Sequence, residues 1–118
     1  ALSRGCANAA YYLGQIYYRE EDDLDAAWAY YVKGATLGSV ECYETMYDLM
    51  DKGIVTESDE FKAHVALYGT RCGSWHLVRV VIELYQAGYL HSFASEIENY
   101  YMPRLRRLEE LERGEITI

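Results

Sequence analysis

The sequence predicts an all-α protein, and three observations carry that prediction. Apolar residues recur at steps of four, as at Ala9, Leu13 and Tyr17, which puts them on one helical face. One proline in 118 residues is too few for the frequent turns of an all-β chain. Three glycine-ended stretches, ALSRG (1–5), GATLG (34–38) and GTRCG (69–73), recur at intervals of 33 and 35 residues, which marks an internal repeat.

Counted from each of those glycines, matching positions are apolar. The fourth residue is Ala9, Cys42 or Leu77, the eighth Leu13, Met46 or Val81, and the twelfth Tyr17, Met50 or Tyr85. These stripes define three A helices, roughly 6–19, 40–52 and 75–87, each with a face that packs on a partner helix. Breaks follow at Glu20 to Asp23, Gly53 to Ser58 and Gly88 to Ser92, with Gly53 and Gly88 suited to a left-handed helix end. A B helix then starts in each full copy. In the first, Asp22 or Asp23 caps it and Ala27, Tyr30, Tyr31 and Ala35 form the buried stripe. In the second, Thr56 or Ser58 caps it, and the stripe is Phe61, Val65, Tyr68 and Cys72. Small residues at Ala26, Ala27, Gly34, Ala35 and Gly69 allow helices to approach closely.

Beyond Ser92, Ile97, Tyr100, Tyr101, Leu105, Leu108 and Leu111 recur at helical spacing, with Pro103 expected to kink or split the helix. A repeat array needs a terminal element with one polar face, and this segment fits that need. The predicted division is therefore 1–91 for the repeats and 92–118 for a C-terminal amphipathic capping helix and tail. ALSRG has the form of the end of a B helix, so the chain is expected to be the C-terminal section of a longer repeat array.

The first copy resembles a known family. Ala9, Leu13, Gly14, Tyr17, Asp25, Ala27, Tyr30, Tyr31, Lys33, Ala35 and Gly38 match in order the pattern of the Sel1-like repeats, close relatives of the tetratricopeptide repeats. The second copy departs from it, with Cys42, Met46 and Tyr47 where Ala, Leu and Gly are expected; its B helix keeps mainly Lys62, Ala63, Tyr68 and Gly73. The third keeps Leu77, Val81, Tyr85 and Gly88. The resemblance implies an α-solenoid of antiparallel helix hairpins whose A helices line a concave surface.

Composition narrows the function. Nineteen acidic against eleven basic residues give a net charge of -8, a field that repels nucleic acid and anionic membranes and attracts basic surfaces. No apolar run approaches the roughly 20 residues needed to cross a bilayer, so no membrane insertion is expected. Cys6, Cys42 and Cys72 are odd in number and lack a CxxC pair, which favours reduced, buried thiols and a cytoplasmic setting over a disulfide framework. His64, Cys72 and His76 have ligand chemistry but no fourth partner. The run Glu20, Glu21, Asp22, Asp23, Asp25 lacks the alternating ligands and central glycine of a calcium loop. No nucleophile elbow, phosphate-binding glycine loop or ordered Cys–His pair occurs, so neither catalysis nor a cofactor or metal is expected. Among the tyrosines, Tyr17, Tyr30, Tyr31, Tyr68 and Tyr85 fall at matched stripe positions and are expected to be packing.

By the resemblance, residues offset from the stripe point into the concave surface. The first A helix presents Asn8, Tyr11, Gln15 and Tyr18, the second Glu41, Glu44 and Asp48, and the third His76, Arg79 and Glu83. Aromatic anchors beside charges are what a protein-binding groove uses, and the acidic middle favours a protein or peptide with a basic segment. The alternative is that these are solvated helix faces. The expected function is a non-enzymatic adaptor or scaffold. The second possibility is an immunity or inhibitor protein that occludes a toxin or enzyme, since Sel1-like proteins include such bacterial interaction proteins.

Overall fold

A computed structural model describes residues 2–115, with side chains from residue 5 onward. Ala1 and residues 116–118, part of the expected first stretch and of the tail, lie outside the described residues. The elements are α1 (Leu2–Arg19), α2 (Leu24–Thr36), α3 (Val40–Asp51), α4 (Asp59–Arg71) and α5 (His76–Gln86), then a 3-10 turn at His91–Phe93, α6 (Ala94–Glu96), a π-helical turn at Ile97–Tyr101 and α7 (Met102–Glu112). The protein is all-helical, with no strand among the described residues.

Local chemistry sets the joints. Asp23, Ser39 and Ser58 each accept a hydrogen bond from a backbone N–H three residues on, at Ala26, Cys42 and Phe61, at 3.1 to 3.2 Å. Each satisfies a donor that the first helical turn leaves free. At the other ends, Gly38 (φ +94°) and Gly73 (φ +110°) take the left-handed conformation, and Ser39 and Ser74 donate to the carbonyls of Gly34 and Gly69 at 2.9 Å. Gly53 and Gly88 do the same at the ends of α3 and α5. Gly5 does not. The helix runs through it from Leu2, so Gly5 lies inside α1 and does not end a separate B helix. Nothing stands within 4 Å of a methyl placed there.

Consecutive helices α1 to α5 pack as neighbours, and two small-residue notches bring them close. The Cys42 sulfur of α3 lies against Gly34 of α2, where a side chain would also meet Ala10 Cβ and the Ala7 carbonyl at 3.3 Å. A methyl on Gly69 of α4 would stand 2.5 Å from Leu77 Cδ1 of α5 and 2.9 Å from Tyr43 Cβ of α3. Each glycine thus receives the fourth residue of the next A helix.

Two apolar clusters result. One gathers Ala27, Tyr31, Ala35, Cys42, Met46, Leu49, Met50 and Val65. The other gathers Ala63, Ala66, Leu67, Val78, Val81, Ile82, Leu90, Ile97 and Tyr101, so the C-terminal segment closes over α4 and α5. Arg71 of α4 grips Glu96 through two hydrogen bonds of 2.9 and 2.7 Å, and Tyr101 donates to the same carboxylate at 2.8 Å.

Several expected faces are rotated. In α1 the buried residues are Ala7, Ala10 and Gly14, because that is the side α2 covers; Ala9 and Leu13 are exposed. In α4 the core side is Ala63, Val65, Ala66, Leu67, Gly69 and Thr70, while Phe61, Tyr68 and Cys72 are exposed. The close approach of α3 and α5 leaves room there mainly for small side chains. Of the five matched tyrosines only Tyr31 is fully buried; Tyr17, Tyr30 and Tyr85 are half-buried. Tyr17 stacks on Tyr30 with ring centres 5.4 Å apart. Two of the three thiols, Cys6 and Cys72, are exposed. Pro103 does not split the helix: α6, the π-helical turn and α7 run on without a gap from Ala94 to Glu112, and the wider π-helical turn stands immediately before the proline segment. Ile97 and Tyr101 point inward, Leu105, Leu108 and Leu111 are half-buried, and Tyr100 is exposed beneath the Arg104 guanidinium at 3.9 Å.

Candidate interaction cleft

One open cleft of about 610 Å³ is bounded by α1, α3 and α5. Helical spacing explains its walls. Tyr11, Gln15 and Tyr18 stand at steps of four and three on α1, Glu41, Glu44 and Asp48 at steps of three and four on α3, and His76 opens α5; all seven line the cleft.

Three sequence-expected members do not. Asn8 is exposed on α1, one turn before the cleft begins. Arg79 donates to both carboxylate oxygens of Glu112 on α7 at 3.2 Å, which draws it toward the C-terminal segment. Glu83 is exposed on α5, outside the lining. On α5 the lining is confined to His76, Leu77 and Val80 in its first turns; Glu83, seven residues on from His76, lies on the same side of the helix but beyond the lining.

The aromatic wall is fixed from beneath. Tyr31, fully buried on α2, donates its hydroxyl to Gln15 Oε1 at 2.7 Å, and Gln15 Nε2 donates to the Tyr11 hydroxyl at 2.8 Å. Burial, with the neighbouring Tyr11 phenol, pushes the Tyr31 pKa up to about 12, so it stays a neutral donor across the physiological range. Its carbonyl-directed bond sets which way the Gln15 amide faces, and the amide in turn orients Tyr11.

The acidic wall is partly neutralised. Asp48 pairs with Lys52 at 2.8 Å, Glu44 accepts from the Ser74 hydroxyl at 2.6 Å, and Glu41 accepts from Ser39 at 3.3 Å. Arg19 and Lys52 also reach the cleft. Their positions were legible: Arg19 lies four residues after Gln15 and Lys52 four after Asp48, the same spacing that found the others. Tyr31, Tyr47, Leu49, Ile54, Leu77 and Val80 add apolar floor. Tyr31 enters from another helix, and no local spacing announces it.

Other candidate chemistry is dispersed. His64 meets the Glu60 carbonyl through Nδ1 at 2.7 Å and the Phe93 ring edge-on at 5.8 Å, away from the cleft that His76 lines. Among the described residues no three His, Cys, Asp or Glu side chains gather closely enough to hold a metal. Burial raises the Cys42 thiol above its ordinary value, which works against a thiolate there. No helix among the described residues is long and apolar enough to cross a membrane. No family model matches the chain, and neither the curated proteins nor the solved structures searched contain a significant match to it.

Proposed function

We propose that the chain is a short α-solenoid of the Sel1-like kind that acts as a non-enzymatic protein-interaction module, its cleft taking an extended segment of a partner protein. The single observation behind this reading is that side chains from three helices 33 to 35 residues apart in sequence converge on one open cleft. The repeated glycine notches at Gly34 and Gly69 support the solenoid arrangement. The radius of gyration of 15.6 Å, against about 13.5 Å for a compact chain of this length, supports it too.

The bound segment carries Lys or Arg beside an apolar residue. Tyr11 and Tyr18 supply rigid aromatic surface, and Glu41, the carboxylate with the weakest internal partner, faces the cleft with Glu44 and Asp48. Displayed random peptides selected on the full chain should enrich such sequences. Their affinity should fall about tenfold or more on Tyr11→Ala with Tyr18→Ala, and their association rate should fall at low salt on reversing the three acids to Lys. Selected peptides that bind both variants as tightly as the parent would sink the cleft assignment.

A further inference from the structure

The α1 helix carries a second apolar face that no other element among the described residues covers, turned away from both the cleft and α2. Ala9 is exposed, and so are Tyr12 (64 %), Leu13 (39 %) and Ile16 (42 %). Shifting these by the 33-residue period gives a telling comparison: Ala9, Leu13 and Ile16 correspond to Cys42, Met46 and Leu49 of α3, which are 0, 3 and 5 % exposed. What covers that triad in α3 is α2, through Ala27, Tyr31, Ala35 and the notch at Gly34. The next joint repeats the device, with Leu77 of α5 entering the notch at Gly69 of α4.

We infer that the Ala9, Leu13, Ile16 face is a docking surface for one amphipathic helix of the α2 type, supplied by another helix hairpin of this kind, with a glycine or alanine set against Ala9. Continuity with the two interfaces already formed fixes the chemistry of the occupant. A second copy of this chain does not supply it from its folded form, because the notches of α2 and α4 are already filled by Cys42 and Leu77. The inference does not depend on what the cleft binds.

The test duplicates residues 6–38 in tandem, so that residues 1–38 are followed directly by 6–118 and the added α2 meets the second α1 across the Gly38 turn. The protein should unfold in one transition. Leu13→Asp in the second copy should lower its Tm by at least about 5 °C, while the same change in the parent chain should move Tm by less than about 2 °C. With Cys6 of the first copy changed to Ser, Cys6 of the second, now in the place of the buried Ser39, should alkylate more slowly than Cys6 does in the parent, where it is exposed. Separate melting of the added hairpin, or an unchanged Tm on Leu13→Asp in the second copy, overturns the inference. So does sedimentation of the parent as a dimer that Leu13→Asp abolishes, because a second copy would then own the face.

Discussion

The same three register positions meet opposite environments in α1 and α3. Cys42, Met46 and Leu49 are sealed beneath α2, while Ala9, Leu13 and Ile16 face outward from a helix of equal regularity. Burial here belongs to the neighbour and not to the residue: a stripe at steps of four predicts a face that can be covered, and only a helix on the other side covers it. The far end of the molecule makes the contrast sharper. There α5 is covered by α4 on one side and by the π-helical turn and α7 on the other.

The largest effect should come from the covered end. Ile97→Ala removes a fully buried side chain from the heart of the second cluster and should destabilise the protein by about 4 kcal/mol in urea unfolding. A loss under about 1 kcal/mol would mean that the C-terminal segment does not seal that cluster. Next, Met46→Ala should lose about 3 kcal/mol, softened by the flexible Met50 beside it. Leu13→Ala, its register partner, should stay within about 0.5 kcal/mol of the parent. Equal losses at the two sites would erase the contrast between α1 and α3.

Gly34→Ala should lose about 2 kcal/mol, since its methyl would run into the Cys42 sulfur, and adding Cys42→Ala should restore part of that loss. Additive losses in the double variant would show that the notch is not what joins α2 to α3. The smallest effect is electrostatic. The Arg71 guanidinium, opposed by partial burial and aided by the Tyr101 hydroxyl, holds the Glu96 carboxyl below its ordinary value. A folded-state pKa below the unfolded one means that this contribution is complete above the ordinary carboxylate range and is lost as pH falls through it. Solvent reaches both partners, so it amounts to at most about 1 kcal/mol. Unfolding free energies of the parent and Glu96→Gln should differ at pH 7 and converge as the pH falls below the ordinary carboxylate range; a constant difference would rule out the ion pair as its source.

The helices, their joints and the polar and aromatic residues of the cleft on α1 and α3 were legible because each has a local cause. Asp23 and Ser58 are capping residues placed before apolar stripes, the joint glycines sit where a left-handed turn is needed, and Glu41, Glu44 and Asp48 share a face through spacing alone. Apart from Gly5, which the repeat spacing marks as a helix end and which lies inside α1, the main errors concern contacts between helices. In α4 the large aromatics Phe61 and Tyr68 drew the stripe to the wrong side, although counting back from Gly73 as from Gly38 matches Ala66, Gly69 and Thr70 to Tyr31, Gly34 and Ala35. Arg79 was legible as a charge on α5 but not as a partner of Glu112, which lies 33 residues away and on another helix. The π-helical turn before Pro103 has no composition of its own, and only the proline marked the place.

The filled notches have a mechanical consequence. A sulfur occupies one joint and a branched leucine end the other, so the spacing of successive hairpins is governed by a single side chain at each hinge. Swapping bulk at position 42 or 77 therefore offers a way to widen or narrow the mouth between α1, α3 and α5 while leaving the tyrosines and carboxylates that line it largely untouched.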